Sequence, residues 1–352
     1  MTVSTSLDLQ DLGWDSSWLE AFEPYARDDL IPARVAVRHH GPCELLTERG
    51  PLGGLPSGRL TDAELPAVGD WTAVRALPGE RKAVIEAVLP RRTAFTRKEA
   101  WRRTAAQVIA ANIDTVFLMS SLGSDLNPRR LERYLVAAWE SGAAPAIVLT
   151  KVDLEPDRTE ALLAVEPVAF GVPVHPVSAV TGEGLDELDR YLGRGRTVAL
   201  LGSSGVGKST LLNRLAGREV LATREVGSHG RGRHTTTHRE LVLLPGGGLL
   251  LDTPGMRELQ LWAGEESLDG AFEDVITLAA ECRFADCAHD REPGCAIKSA
   301  LAEGSLLPER WDSYRKLQRE LRALEIRRDK ALQAEQRRRW RAVQRSRRKT
   351  RY

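Results

Sequence analysis

The chain has 352 residues, 42% of them hydrophobic and 28% charged, with a formal charge of +1; that length usually holds more than one hydrophobic core, so several domains are expected. No apolar run of membrane-spanning length occurs, and the first 30 residues carry Asp8, Asp11, Trp14, Asp15, Trp18 and Glu20 where a leader would be basic and then apolar. Composition therefore argues against a membrane protein or a secreted one, and a soluble, cytoplasmic monomer is expected.

The near-neutral charge is unevenly spread. From Arg315 to Tyr352 sixteen Lys or Arg stand against four acids, a net of +12 that leaves −11 for the rest. An acidic body with a basic arm fits nucleic-acid contact, or else a solvated tail. Of four cysteines, three fall between Cys282 and Cys295, which in a cytosolic chain favours a metal site over a disulfide.

In chain order, residues 1–30 read as an N-terminal extension. Residues 31–95 are rich in Gly, Pro and Val, with alternating runs at Arg34 to Arg38, Trp71 to Val74 and Ala83 to Val88 and closely spaced turn signals such as Gly53-Gly54 and Pro56-Ser57-Gly58. That pattern predicts a small all-β domain of barrel type. Residues 111–266 change texture: strand-length apolar runs (Thr115 to Met119, Ala146 to Leu149, Thr197 to Leu201, Leu241 to Leu244, Leu249 to Leu251) alternate with helical stretches (Arg129 to Trp139, Lys208 to Leu215). Such alternation predicts an α/β domain, doubly wound on a mostly parallel sheet. Residues 267–314 read as helical with a cysteine-rich interruption, and residues 315–352 as a basic helix or tail with Leu317, Leu321 and Leu324 on one face.

The strongest motif is Gly202-Ser203-Ser204-Gly205-Val206-Gly207-Lys208-Ser209-Thr210, which follows an apolar strand and opens a helix. A G-x-x-x-x-G-K-[ST] loop in that setting turns backbone N–H groups toward phosphates, with Lys208 reaching the β and γ phosphates and the Ser209 hydroxyl on Mg²⁺. Asp252-Thr253-Pro254-Gly255 follows Leu249 to Leu251; Asp252 suits water-mediated Mg²⁺ binding and the Gly255 N–H suits contact with the γ-phosphate. Alone, this motif would be an ordinary turn.

Thr150-Lys151-Val152-Asp153 ends another apolar strand. The Asp153 carboxylate can accept from both the N1–H and the amine of guanine, a pair adenine lacks, so the motif points to GTP over ATP. The Lys151 stem can pack over the purine, and the Ala179 N–H of Ser178-Ala179 is suited to the guanine O6. Together the motifs resemble those of TRAFAC GTPases, but the base-reading pair precedes the phosphate loop. A circular permutation explains this order, because in a doubly wound fold every ligand loop lies beyond the strand carboxyl ends.

Between phosphate loop and Asp252 lies Gly230-Arg231-Gly232-Arg233-His234-Thr235-Thr236-Thr237, where a threonine can join Mg²⁺ and γ-phosphate contacts if the loop is not merely polar connection. Met256 stands where many GTPases carry the Gln that orients water, and a thioether cannot do so. Cys282, Cys287, His289 and Cys295 supply three thiolates and an imidazole, a closed tetrahedral Zn²⁺ shell of structural type. Cys43 reads as a small core residue. Arg337 to Arg341 and Arg345 to Lys349, with Trp340 between the arginines, suit phosphate backbone and base stacking as RNA offers them.

These features together resemble the RsgA (YjeQ) family of small ribosomal subunit biogenesis GTPases over roughly Ile31 to Tyr314. The resemblance implies an N-terminal OB-fold, a circularly permuted GTPase domain and a C-terminal zinc-finger domain, with the small ribosomal subunit and its rRNA as partners. It also gives His234 a water-positioning role and Thr236 that of the switch threonine on Mg²⁺. Residues 1–30 lack a counterpart in that pattern, and the basic helix is longer. A GTP-gated zinc-handling protein and a non-enzymatic RNA-binding module holding GTP are the competing readings.

Overall fold

The computed structural model describes residues 7–39, 41–61, 64–98, 106–220, 240–252, 265–290 and 292–328. The chain separates into two compact units, Met1–Gln260 and Leu261–Tyr352.

In the first unit, five strands close a barrel: β1 (Ile31–Arg38), β2 (Cys43–Thr47), β3 (Gly50–Pro56), β4 (Trp71–Ala76) and β5 (Lys82–Val88). They run in the order β1-β2-β3-β5-β4, with β4 returning to β1 and β3 parallel to β5. This is the five-stranded OB arrangement that the resemblance implies. Alternation decides the interior: Cys43, Leu45 and Thr47 of β2 point inward, and Ala33, Val35, Val74, Ala83 and Ile85 complete the core. Burial pushes the Cys43 thiol up to about 11, as befits an inert core residue.

A short antiparallel pair, β6 (Ala94–Lys98) with β7 (Ala106–Ala111), leads into the second sheet. That sheet comprises β8 (Thr115–Ser121), β9 (Ala144–Thr150), β10 (Val174–Pro176), β11 (Thr197–Gly202), β12 (Glu240–Leu243) and β13 (Leu249–Asp252). Its order is β10-β9-β8-β11-β13-β12, parallel except for β12. Every residue of β8 and β11 is buried, which is why these strands read as continuous apolar runs without alternation. After α1 (Ser16–Phe22), the helices of this unit are α2 (Pro128–Ser141), α3 (Thr159–Val165) and α4 (Lys208–Ala216). Asn127 caps α2 by accepting from the Arg130 N–H, Pro128 occupies its first turn, and Gly142 ends it at φ 81°. The two sheets are continuous through one antiparallel pairing, Val37 of β1 opposite Glu240 of β12.

Residues 7–30 fold onto the junction. Asp15 caps α1 and pairs with Arg92, whose guanidinium lies 4.4 Å over the Trp18 ring. That arginine holds the Asp15 carboxyl down to about 2. Arg194 binds Asp8 and Asp11, and Trp14 meets Trp71 edge-on at 4.7 Å.

At the centre is Arg34, 2% exposed. Its guanidinium donates to the carbonyls of Leu12, Gly69 (3.3 Å) and Asn112 (3.0 Å) and to Thr197 Oγ1 (2.8 Å). Burial lowers its pKa to about 10, opposed by Asp114 and Asp70, so it stays charged at neutral pH.

The second unit has α5 (Glu265–Ala271), α6 (Glu273–Ala280), α7 (Ala296–Glu303) and α8 (Pro308–Arg328). Buried Arg310 forks onto Asp274 at 2.8 and 3.1 Å, donates to the Ala271 carbonyl and lies 4.0 Å over Phe272. Leu317 and Leu321 of α8 are buried, one helical turn apart. No described helix is long and apolar enough to cross a membrane.

Arg34→Met keeps the apolar stem but takes the arginine's donors from the Leu12 and Asn112 carbonyls and leaves the Gly69 carbonyl with Asn112 Nδ2 alone, so it should cost about 3 kcal/mol. Urea unfolding followed by tryptophan fluorescence checks this, and an unchanged midpoint would mean the bonds carry no net stability.

Candidate nucleotide site and metal centre

The nucleotide motifs sit at the carboxyl ends of neighbouring parallel strands. The strand pairing sets Gly202 opposite Met119, Ser121 opposite Thr150, Pro176 opposite Leu149 and Asp252 opposite Leu200. Three loops and the end of β13 are thereby brought to one side of the sheet, where such folds bind ligands.

Residues 203–207 connect β11 to α4, whose first residue is Lys208. A Cβ on Gly202 would lie 2.7 Å from the Met119 carbonyl oxygen, so the loop can leave the sheet this closely only with glycine there. Gly207, at φ 104°, makes the turn into the helix. Lys208 Nζ donates to the carbonyls of Gly202 (2.9 Å) and Ser203 (2.6 Å), which lays the lysine along the loop. Val206 packs into the core beneath, with Leu211 and Leu212, while Ser204, Gly205, Ser209 and Thr210 are partly or fully exposed at the rim.

On the base-reading side, Lys151 adopts φ 61°, which turns the chain sharply out of β9 into a 3₁₀ turn, Val152–Leu154. Val152 is buried and its N–H meets the Val177 carbonyl at 3.4 Å. Ser178 is buried too: its Oγ accepts from the Val180 and Thr181 N–H groups, so its hydroxyl shapes the loop that presents Ala179. Thr150 Oγ1 donates to the Val206 carbonyl at 2.6 Å. This residue ties the end of β9 to the loop before α4. Asp252 ends β13 and is buried. Thr253, Gly255 and Met256, the 221–239 stretch with His234 and Thr236, and the arm from Arg337 to Lys349 lie outside the described residues.

In the second unit, the ligand atoms of Cys282, Cys287, His289 and Cys295 all lie within 4.8 Å of one another. Cys282 Sγ is 4.0 Å from Cys295 Sγ, and both are 3.5 Å from His289 Nδ1. Zinc–thiolate bonds of about 2.3 Å in a tetrahedron put sulfurs about 3.8 Å apart, so the cluster fits such an ion. The His289 ring meets Trp311 edge-on at 5.5 Å, which seats the imidazole.

Comparison with known proteins agrees with these motifs. The RsgA GTPase family model matches residues 88–262. A relative from Opitutus terrae, "Small ribosomal subunit biogenesis GTPase RsgA", is 50% identical over 353 residues, covering 96% of each chain. The chain belongs to the RsgA GTPase family. One of the same name from Streptomyces coelicolor is 47% identical over 93% of this chain and 90% of that one. Among solved structures, YjeQ from Thermotoga maritima matches with a TM-score of 0.62 and 28% identity over 83% of this chain and 98% of that one. YloQ, titled a circularly permuted GTPase, matches in fold with a TM-score of 0.59 and 24% identity over 84% of this chain and 96% of that one.

As a member of the RsgA GTPase family the chain is a GTP hydrolase with the permuted motif order. One expectation needs correcting: an alignment over 96% of the chain must reach into residues 1–30, so at least part of that segment has a counterpart in an RsgA relative.

Sequence reading missed two side chains beside the motifs. Asp125, after β8, accepts from Ser203 Oγ through both carboxylate oxygens at 2.9 Å and pairs with Arg130 at 2.9 Å. Arg158 binds Glu183 across the two base-reading loops. Neither belongs to a motif, and only tertiary proximity reveals them.

Thr150→Val keeps the shape but removes the donor to a buried carbonyl, which should cost about 1–3 kcal/mol and raise the KM for GTP. Preference for GTP over ATP should survive, since the change leaves Asp153 alone. Thermal unfolding and steady-state kinetics check both, and wild-type stability would show that the bond is not worth making.

Proposed function

We propose that this GTPase binds the small ribosomal subunit late in its maturation and that subunit-stimulated hydrolysis of GTP drives its release or the remodelling of the particle. The observation that carries this reading is the identity shared by relatives up to 50% identical over nearly the whole chain, each a "Small ribosomal subunit biogenesis GTPase RsgA". Working as a cytoplasmic monomer, the protein would use residues 31–95 and the basic residues 315–352 on rRNA, residues 111–266 on GTP and residues 267–314 as a zinc-stabilised module.

In this reading Asp153 and Lys151 recognise guanine with the Ala179 N–H, and the backbone N–H groups from Ser203 to Thr210 cradle the phosphates. Lys208 neutralises the β and γ phosphate oxygens. The Ser209 hydroxyl, Thr236 and the Asp252 carboxylate would hold Mg²⁺, which supplies positive charge to the transferring phosphoryl group. Gly255 marks the γ-phosphate with its N–H. His234 orients the attacking water, a task that Met256 cannot perform. Cys282, Cys287, His289 and Cys295 hold one structural Zn²⁺, a donor set suited to that ion by softness and by the spacing above.

Isolated small subunits should raise GTP turnover well above that of the free protein, while large subunits should not. His234→Ala should keep nucleotide affinity and lose most of the stimulated rate, by about 10² to 10⁴. Turnover at saturating subunits beside GTP binding decides it; a fully stimulated variant would remove His234 from the mechanism.

Purified protein should carry one zinc, and Cys287→Ser should lose it and loosen the 281–296 segment, because a hydroxyl is a poor ligand beside thiolates. Metal content and limited proteolysis read this out. A wild type without stoichiometric zinc would refute the site.

A further inference from the structure

We infer that Arg158 and Glu183 are a positioning pair that locks the two base-reading loops together and so sharpens selection of guanine, an inference resting on the assignment of Asp153 and Ala179 to the base pocket. Arg158 precedes α3, five residues beyond Asp153. Its Nη1 and Nη2 donate to the two carboxylate oxygens of Glu183 at 2.7 and 3.1 Å. The same guanidinium reaches the Val152 carbonyl at 3.2 Å and, through Nε, that of Glu155 at 3.4 Å. One planar fork thus holds both sides of the turn that carries Asp153. On the other loop the Glu183 carbonyl accepts the Ser178 N–H at 2.9 Å, next to Ala179.

A continuous path of hydrogen bonds therefore runs from the residue before Asp153 to the residue before Ala179. These are the two places where the guanine edge would be read. Backbone bonds join the strand ends from the Val177 N–H to the Leu149 carbonyl at 2.8 Å and from the Val152 N–H to the Val177 carbonyl at 3.4 Å, and the charge-assisted side-chain bridge adds a fastening further out, between the turns themselves.

Charge reinforces the geometry. Arg158 keeps the Glu183 carboxyl below its ordinary range, while the Asp153 charge pushes it the other way. The same Asp153 charge favours protonated Arg158. Arg158 thus offsets the repulsion between the Asp153 and Glu183 carboxylates. Without it, the loop bearing Asp153 loses an anchor and faces an unneutralised neighbour.

The consequence falls on base recognition more than on the phosphates. Hypoxanthine lacks the 2-amino group of guanine, so ITP can make only one of the two donations to Asp153. A displaced carboxylate should sacrifice part of the GTP advantage over ITP. An arginine that merely supported α3 would weaken both nucleotides alike.

The test compares Kd, KM and kcat for GTP and ITP in wild type, Arg158→Ala, Glu183→Ala, the double alanine variant and the exchanged pair Arg158→Glu/Glu183→Arg. Since the pair is partly exposed, each single change should raise the KM for GTP about fivefold and narrow the GTP-to-ITP ratio, with kcat at saturating GTP moved less than about twofold. The double alanine variant should lose less than the two singles combined, and the exchange should recover much of the ratio. Unchanged GTP affinity in Arg158→Ala, or equal weakening of GTP and ITP, would overturn the inference. Asp153→Asn serves as a control, because an amide should favour xanthosine triphosphate over GTP. If that switch occurs and the ratio in Arg158→Ala does not move, only the pairing is refuted; if the switch fails, the pocket assignment falls and the pairing falls with it.

Discussion

The first unit depends on one buried cation. Arg34 stands on a barrel strand, yet its guanidinium is satisfied by a carbonyl of the N-terminal segment, another of the barrel, a third after β7 and the hydroxyl that begins β11. A guanidinium taken out of water must find acceptors for its donors in a plane, or it costs several kcal/mol. Here those acceptors come from four parts of the chain. The geometry of any one of them is therefore conditional on the other three, and the β11 strand that launches the phosphate loop starts from this point.

At the other end of the same strands, the chemistry is assembled by side chains that hold loops more than by side chains that would touch substrate. Thr150 joins β9 to the phosphate loop, Asp125 joins the loop after β8 to Ser203, and Arg158 joins the two base-reading turns. Phosphoryl transfer needs little covalent help from protein and much accurate placement. A site of this kind is built by fastening short turns to a rigid sheet.

The strand–loop–helix at Gly202 to Thr210, the turn after β9 at Lys151 and the gathered cysteine cluster were legible because each is a local string of residue types and spacing. The parallel sheet was legible from runs such as Thr115 to Met119, buried on both faces and hence apolar throughout. The barrel's type came from resemblance, since alternation in Cys43 to Thr47 shows an inward face but not which strand pairs with which. Arg34 and Asp125 were illegible for a physical reason: their partners Thr197 and Ser203 lie 163 and 78 residues away, and nothing local distinguishes a buried arginine from a solvated one. The N-terminal segment was set apart for want of a counterpart in the family pattern, and its acids spoke only against a leader, whereas Asp8, Asp11 and Asp15 face Arg194 and Arg92.

Glu240 holds two positions at once. It opens β12 directly after the stretch that carries His234 and Thr236, and it is the residue paired with Val37 of the barrel. The downstream tether of that stretch is thus shared property of barrel and sheet. Anything that grips the barrel steadies the start of β12, and by reciprocity anything that steadies β12 steadies the barrel's edge. Within the second sheet β12 stands beyond β13 at the side away from β10, which leaves its other flank to meet the barrel.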